Sequence, residues 1–307
     1  MRTLITGAAG FVGPHLSRAL RARGDEVIGI SDHPGTDIEH VCDLRDAPAV
    51  DAVVSAAAPD AVVHLAGLSS VADCAKDPAK AFSVNTQGTY NLLLAVQKAS
   101  PRAKVLFVSS GEVYGASASA VPLDESVVPE PVNVYGATKR AAEVLALQLA
   151  RTGLQVVVVR AFNHVGAGQT PTFVLPSFAR QLAAVPRGAK VVLEVGNLAA
   201  VRDFSHVDDV VDAYALLLDR GANGQLYNVG SGSGRSIDQM LQVLVKLSGR
   251  DADVRVDPKR LRPIEIPTLI GNAGKLKALG WAPRRTIDQA LGEIMQQAEG
   301  LTSSAPR

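Results

Sequence analysis

Tyr135 and Lys139 stand four residues apart in NVYGATKRAAEVL, a spacing that puts both side chains on one face of a helix, one turn apart. By itself the pair is cheap, since ordinary lysine usage supplies it by accident for roughly one tyrosine in fifteen. It gains meaning from Ser109 and Ser110, which close the apolar run that begins at Lys104, because ligands of open α/β sheets bind beyond the C-terminal ends of strands. Adding hydride to a ketone creates an alkoxide, which needs a proton donor within reach and a second group to hold the oxygen. A phenol with its ordinary pKa of about 10 is a poor acid near neutrality, but an adjacent ammonium stabilises the phenolate and lowers that value. The expected roles are therefore Tyr135 as proton donor, Ser110 as the hydroxyl that orients a carbonyl, and Lys139 as the cation that tunes Tyr135 and holds a ribose. The competing reading is an exposed Tyr/Lys helix face beside a serine turn.

Gly7, Gly10 and Gly13 in TGAAGFVG have the spacing GxxGxxG, directly after the first apolar run and directly before a helical stretch. Glycines there permit a tight turn and let backbone amides approach a pyrophosphate, whose charge the helix N-terminus favours. A bare triplet reads equally well as a turn; in this context it predicts a dinucleotide held by Gly7, Gly10, Phe11, Val12 and Gly13. The second strand ends at Ser31 and Asp32. A carboxylate accepts both ribose hydroxyls and repels a 2′-phosphate, whereas serine bonds to either form. Counting from Gly7, the usual acidic position falls on Ser31, with Asp32 one residue late. No arginine lies in this stretch, although His33 is close enough to assist a 2′-phosphate. The expected cofactor is NAD(P)H, with Asp32 tilting the choice to NAD(H). Asp43 and Leu44 suit contacts to adenine, or a helix cap ahead of Arg45.

The elements that must position these groups alternate. Short β-branched runs at 3–6, 26–30, 61–65, 104–109 and 155–160 are separated by stretches of helical period at 11–23, 48–57, 78–99 and 134–152. This is the pattern of βαβ units and an α/β fold with a doubly wound parallel sheet. After Arg160 glycines and prolines interrupt the rhythm and strand signals become sparse, which predicts a smaller domain. A helix at 206–218 and a strand at 226–229 suggest a return to the main sheet. The expected division is 1–165 with 206–230 for the dinucleotide, and 166–205 with 231–307 for the substrate.

Composition removes several alternatives. Thirty-one Lys plus Arg against thirty Asp plus Glu leave a net charge of +1, so the bulk field that gathers nucleic acid or anionic lipid is absent. Cys42 and Cys74 are the two cysteines, which supports neither a disulfide framework nor a zinc site. No window holds eighteen uninterrupted apolar residues, so no membrane span is expected. The run after Met1 and Arg2 is too short for a signal-peptide core, and a reducing cytoplasm is the expected compartment.

The combination of GxxGxxG, HLAG at His64 to Gly67, SSGEVYG at Ser109 to Gly115 and YGATK resembles the extended short-chain dehydrogenase/reductases, the NAD-dependent epimerase/dehydratase family, over essentially the whole chain. The resemblance implies a Rossmann-type sheet, a nucleotide-sugar substrate, a C-terminal substrate domain, and a homodimer through a four-helix bundle of helices 78–99 and 134–152. It aligns the catalytic hydroxyl with Ser110 and brings Leu65, Ala66 and Gly67 to the cofactor. Glu112 falls where sugar 4,6-dehydratases carry a general base. One dehydratase branch has an Asp immediately before that Glu; here Gly111 stands there, the acid is missing, and simple reduction is favoured. GDP-mannose dehydratases lack an acid at that position too, so a 4,6-dehydratase stays as the alternative.

Downstream, RAFNHVGAGQ at 160–169, FVLPSF at 173–178, VGNLAAVRDFSHVDDVV at 195–211 and RPIEIPTLIGNAGKLKALGW at 262–281 are similar to the branch of GDP-mannose 4,6-dehydratases and GDP-4-keto-6-deoxymannose reductases. The short chain and SSGEVYG favour its reductases, which make GDP-D-rhamnose. In this reading Arg202 and Arg262 meet the pyrophosphate, since guanidinium forks match phosphate oxygens. Glu265 accepts ribose hydroxyls, Asn163 donates to a phosphate or sugar oxygen, and Val174 lines the same site. Taken singly, each is equally a surface charge or loop cap. Asp203, His206, Asp208 and Asp209 are read as structural rather than metal-binding, the last two as carboxylates that complement a helix dipole. His64 is read as settling the loop after its strand and Trp281 as a packing anchor. A 4-epimerase that recycles its NAD⁺ and a non-catalytic dinucleotide-binding scaffold remain as rivals.

Overall fold

The structure, a computed structural model, describes residues 1–118, 122–261 and 264–303. The first half runs β1 (Arg2–Thr6), α1 (Val12–Ala22), β2 (Glu26–Ser31), β3 (His40–Val41), α2 (Ala47–Ala57), β4 (Ala61–His64), α3 (Val71–Lys76), α4 (Pro78–Phe82), a π-helical stretch (Ser83–Gly88), α5 (Thr89–Ala99), β5 (Lys104–Ser110), α6 (Val134–Arg151) and β6 (Gln155–Ala161). The second half runs β7 (Asn163–Val165), α7 (Val174–Ala183), β8 (Lys190–Val195), β9 (Val201–His206), α8 (Val207–Arg220), β10 (Gln225–Val229), β11 (Gly234–Ser236), α9 (Ile237–Ser248), β12 (Asp251–Val256), β13 (Thr268–Leu269), α10 (Gly274–Lys277) and α11 (Ile287–Ser303).

The main sheet is parallel, in the order β10-β6-β5-β4-β1-β2-β3. Its central strands are apolar on both faces because helices cover both. Leu4, Val62, Phe107 and Val158 pack with Leu92, Leu93 and Ala146 on one side. Ile5, Val63, Leu106 and Val159 pack with Leu16, Leu20 and Tyr214 on the other. The strand order reverses between β1 and β4, and a crevice for ligands opens at such a switch point. The fold is α/β and Rossmann-like, as expected. Its first five long strands, and the helices at 11–23, 48–57 and 134–152, fall within one residue of the ranges read from the sequence.

Two regions differ from the expectation. The single helix expected over 78–99 is α4, a π-helical stretch and α5, preceded by the unforeseen α3. Thr89 Oγ1 donates to the Asn85 carbonyl at 2.6 Å, and the Asn85 side chain is drawn to Leu68 and Thr138. These bonds compete with the regular ladder, and a π-turn is where a helix absorbs such an insertion. After Arg160 the chain is richer in strands than its sequence suggested. They are short, from two to six residues, too few for a period to register. The four-stranded set of β7, β9, β11 and β13 and the pair β8 with β12 pack against α7, α9 and α11 around Leu175, Leu193, Leu241 and Leu291.

A buried charge is satisfied within each half. Arg160 on β6 is 1% exposed and bonds both oxygens of Glu143 on α6 at 3.0 Å, with its guanidinium 4.8 Å over the Tyr114 ring. Asp203 on β9 is fully buried and accepts the amides of Ser231, Gly232 and Gly271 and the Ser231 hydroxyl. This fastens the loops after β10 and β13 to β9.

Candidate active site

A cavity of about 1280 Å³ follows the switch point and continues between the main sheet and the second half of the chain. That is room for more than one drug-sized ligand. One end is the glycine turn. Gly7 has φ +71°, and a Cβ there would lie 2.7 Å from the Ala66 amide nitrogen, so only glycine lets the two loops at the switch point meet. A Cβ on Gly13 would fall 2.1 Å from the Ala8 carbonyl oxygen, which holds α1 tight against the turn. These glycines leave the cradle open for a pyrophosphate, and the residues present fit a dinucleotide.

Gly10, Phe11, Val12, Ser31, Asp32, Asp43, Leu44, Leu65 and Gly67 line this end of the cavity. Asp32 is exposed and bonds His33 Nδ1 at 2.6 Å, while Asp43 forks onto Arg45. The hydrogen-bond pattern of His64 fixes its role. Thr89 Oγ1 spends its proton on the Asn85 carbonyl, so it accepts from His64 Nε2 at 2.8 Å, and His64 Nδ1 in turn accepts from Thr6 Oγ1 at 2.7 Å. Burial pushes the His64 pKa down to about 3, with the Lys139 charge adding to the effect. The imidazole is a neutral strut between β1, β4 and the start of α5.

Tyr135, Lys139 and Ser110 line the same cavity, with the Ser110 hydroxyl within hydrogen-bond reach of the Tyr135 phenol. Asn133 caps α6 by accepting from the Gly136 amide at 2.8 Å, and its own amide donates to Glu112 Oε2 at 2.8 Å. The helix start and the turn after β5 are thus locked to each other. Burial raises the Tyr135 phenol to about 12; the neighbouring Ser110 hydroxyl pulls the other way, and Glu112 and Cys74 add to the rise. Burial lowers Lys139 to about 8, against the pull of Glu143 one turn further on. The lowering of the Tyr135 pKa expected from Lys139 is not seen here: Lys139 is not among the groups that move it, and burial sets the direction.

At the far end Arg202 on β9 is 5% exposed and donates to Glu265 Oε1 at 2.6 Å. Asn163 and Val174 line the cavity with them. Arg262 lies outside the described residues. The remaining candidates have structural partners. His206 caps α8 and donates to Glu293 at 3.1 Å, Asp208 meets His15, and Asp209 meets Arg285. Trp281 is buried and donates to the Asp209 carbonyl. The sequence reading did not single out His164, Arg260 or Tyr214, which also line the cavity. His164 stands directly after Asn163 in RAFNHVGAGQ, the only signal the sequence offers for it.

Residues 3–230 match the NAD dependent epimerase/dehydratase family. The chain belongs to that family. It is 37% identical over 302 residues to the GDP-6-deoxy-D-mannose reductase of Pseudomonas aeruginosa, covering 97% of each protein. It superposes on RMD from Pseudomonas aeruginosa complexed with NADPH at TM-score 0.86 and 36% identity, covering 98% of this chain and 100% of that one. It superposes on the UDP-glucose 4-epimerase of Thermus thermophilus in complex with NAD at TM-score 0.88 and 30% identity, covering 98% and 99%. As a member of the epimerase/dehydratase family, the protein is an NAD(P)-dependent oxidoreductase. No helix among the described residues is long and apolar enough to cross a membrane.

Proposed function

We propose that the enzyme reduces the 4-keto group of a GDP-4-keto-6-deoxyhexose to a GDP-D-rhamnose-type product. The bound NAD(P)H supplies the hydride. Ser110 orients the carbonyl oxygen, Tyr135 delivers the proton to it, and Lys139 holds the nicotinamide ribose. Arg202 takes the substrate pyrophosphate, Glu265 its ribose hydroxyls, and Asn163 a phosphate or sugar oxygen.

The observation that carries reduction is the 37% identity to a GDP-6-deoxy-D-mannose reductase over 97% of the chain; Gly111 adds to it against those dehydratases that carry an acid immediately before the Glu. A dehydratase must remove a proton and also protonate a departing hydroxyl, and Glu112 supplies one carboxyl beside Tyr135. A second acid at 111 would crowd the Phe162 ring: a Cβ there would lie 3.1 to 3.3 Å from three of its atoms, so the ring would have to give by a few tenths of an ångström. Incubation with NADPH and a GDP-4-keto-6-deoxyhexose tests the reduction: a GDP-6-deoxyhexose should form, and UDP-glucose should not be converted with NAD⁺. Stabilisation by GDP above UDP, CDP and dTDP in a thermal-shift panel tests the base, since ligands raise stability by mass action.

The cofactor domain in this reading is 1–165 with 206–230, the sugar-nucleotide domain is 166–205 with 231–307, and the compartment is the cytoplasm. Two copies pair through α4, α5 and α6, on which Phe82, Leu94 and Val144 stay exposed; large apolar side chains grouped on a surface mark an interface. Val144→Glu should convert a dimer to a monomer in sedimentation, and an unchanged mass would contradict the pairing.

A further inference from the structure

Asn91 takes no part in the chemistry assigned so far. It stands on α5, 8% exposed, and its side-chain amide reaches across to the chain between β3 and α2, donating to the Leu44 carbonyl at 2.9 Å and the Arg45 carbonyl at 3.4 Å. Two carbonyl oxygens require the nitrogen on that side, and the amide oxygen is turned away to accept from Gln87 Nε2 at 2.9 Å. Gly88 lets the helical segment come this close: a Cβ there would lie 3.1 Å from Leu44 Cβ.

The peptide unit that Asn91 grips has a second partner. Its carbonyl is that of Leu44; its N–H is that of Arg45, which donates to Asp43 Oδ1 at 2.9 Å. Holding the carbonyl therefore fixes, through one planar group, the direction from which the Asp43 carboxylate is held. The Arg45 guanidinium keeps that carboxyl below the usual carboxylate range, so it stays an acceptor. A carboxylate offers about four acceptor positions; the backbone N–H, Nε and Nη2 of Arg45 leave one open. The Leu44 N–H has no hydrogen-bond partner among the described residues. Both Asp43 and Leu44 line the cavity. An acceptor beside a free N–H matches the amino group and N1 of adenine. It opposes hypoxanthine, which presents an oxygen and an N–H at the same two places.

We propose that Asn91 is a positioning residue for base recognition: by holding the Leu44–Arg45 peptide it aims Asp43 and the Leu44 amide at the adenine of the dinucleotide, and so makes the enzyme select that base. The proposal rests on adenine lying against Asp43 and Leu44.

Equilibrium binding of two ligands tests it: NADPH, and its analogue with hypoxanthine in place of adenine. The native enzyme should bind the analogue at least about tenfold more weakly, the scale of one net hydrogen bond. Asn91→Leu removes both donors at nearly constant volume, and Asn91→Ala removes them with the side chain. Each should lose about tenfold toward NADPH and stay within about twofold of native toward the analogue, so that the two ligands bind alike. Equal losses toward both ligands would mean that the pocket has collapsed rather than lost its aim. That result, like a native ratio of affinities in both variants, would overturn the proposal. A native enzyme that binds the two ligands alike would instead mean that adenine does not lie on Asp43 and Leu44, and the reading beneath the proposal would fail first.

Discussion

Lys139 holds its ammonium 4.9 Å from the ring centre of Phe107. Burial drives its pKa down to about 8, and the ring face is one of the few features that keep the charge in place. A cation over an aromatic face is stabilised by about 0.5–2 kcal/mol, and one pKa unit corresponds to about 1.4 kcal/mol. The alkaline limb of kcat/KM, set near pH 8 by loss of the Lys139 proton, should therefore move to lower pH in Phe107→Leu, by roughly half a unit to one and a half. A pH profile of the two enzymes measures it; an unmoved limb would mean that Lys139 does not set it.

Tyr135→Phe removes the proposed proton donor and leaves the cradle untouched. Positioned acid catalysis contributes about 10²–10⁴-fold, so kcat should fall by that factor while the Kd for NADPH stays within twofold (roughly 0.4 kcal/mol). Turnover at the native rate would remove Tyr135 from the mechanism.

His64 makes stability depend on acid. Its folded pKa of about 3 lies below the unfolded value of about 6.5. Above the unfolded value both states are neutral and pH has no effect. As pH falls below it, the unfolded chain takes a proton that the folded chain refuses, and stability is lost at up to about 1.4 kcal/mol per pH unit until the folded pKa is reached. His64→Gln should be less stable than the native protein at neutrality, by about 1–3 kcal/mol for a broken buried bond. That gap should close as urea unfolding is repeated from pH 7 down to pH 4. A constant gap would contradict the buried neutral imidazole.

Arg202 is already bonded to Glu265, which holds its guanidinium in place; in the proposed reading it meets the incoming diphosphate. Arg202→Ala should raise KM for the nucleotide sugar by roughly tenfold to a hundredfold, the worth of a charge-assisted hydrogen bond, without changing the NADPH Kd. A matched loss toward the cofactor would place Arg202 at the wrong ligand.

The sequence was most legible where one local rule decided the outcome. The strands of the main sheet are apolar runs bounded by turn residues, and Gly7 and Gly13 are glycines because backbone stands where a Cβ would be. Tyr135 and Lys139 could be put on one helix face from their spacing, and the serines at the end of the preceding strand gave the pair its weight. The rest depended on contacts distant in sequence. The π-helical stretch follows from Asn85 reaching Leu68 and Thr138, 17 and 53 residues away. The rise in the Tyr135 pKa is a burial effect, and burial is set by the whole fold. The grip of Asn91 on the Leu44 and Arg45 carbonyls spans 47 and 46 residues. The crowding of position 111 by Phe162 is another contact between residues 51 apart by number, and it bears on the choice between reduction and dehydration.

Net consumption of reduced cofactor tests the central claim most directly. With a GDP-4-keto-6-deoxyhexose in limiting amount, the loss of NAD(P)H absorbance should equal, mole for mole, the 4-hydroxy product formed. Product formation with no net loss of NAD(P)H would mean that the nicotinamide is recycled within each turnover, and the reductase assignment would fail.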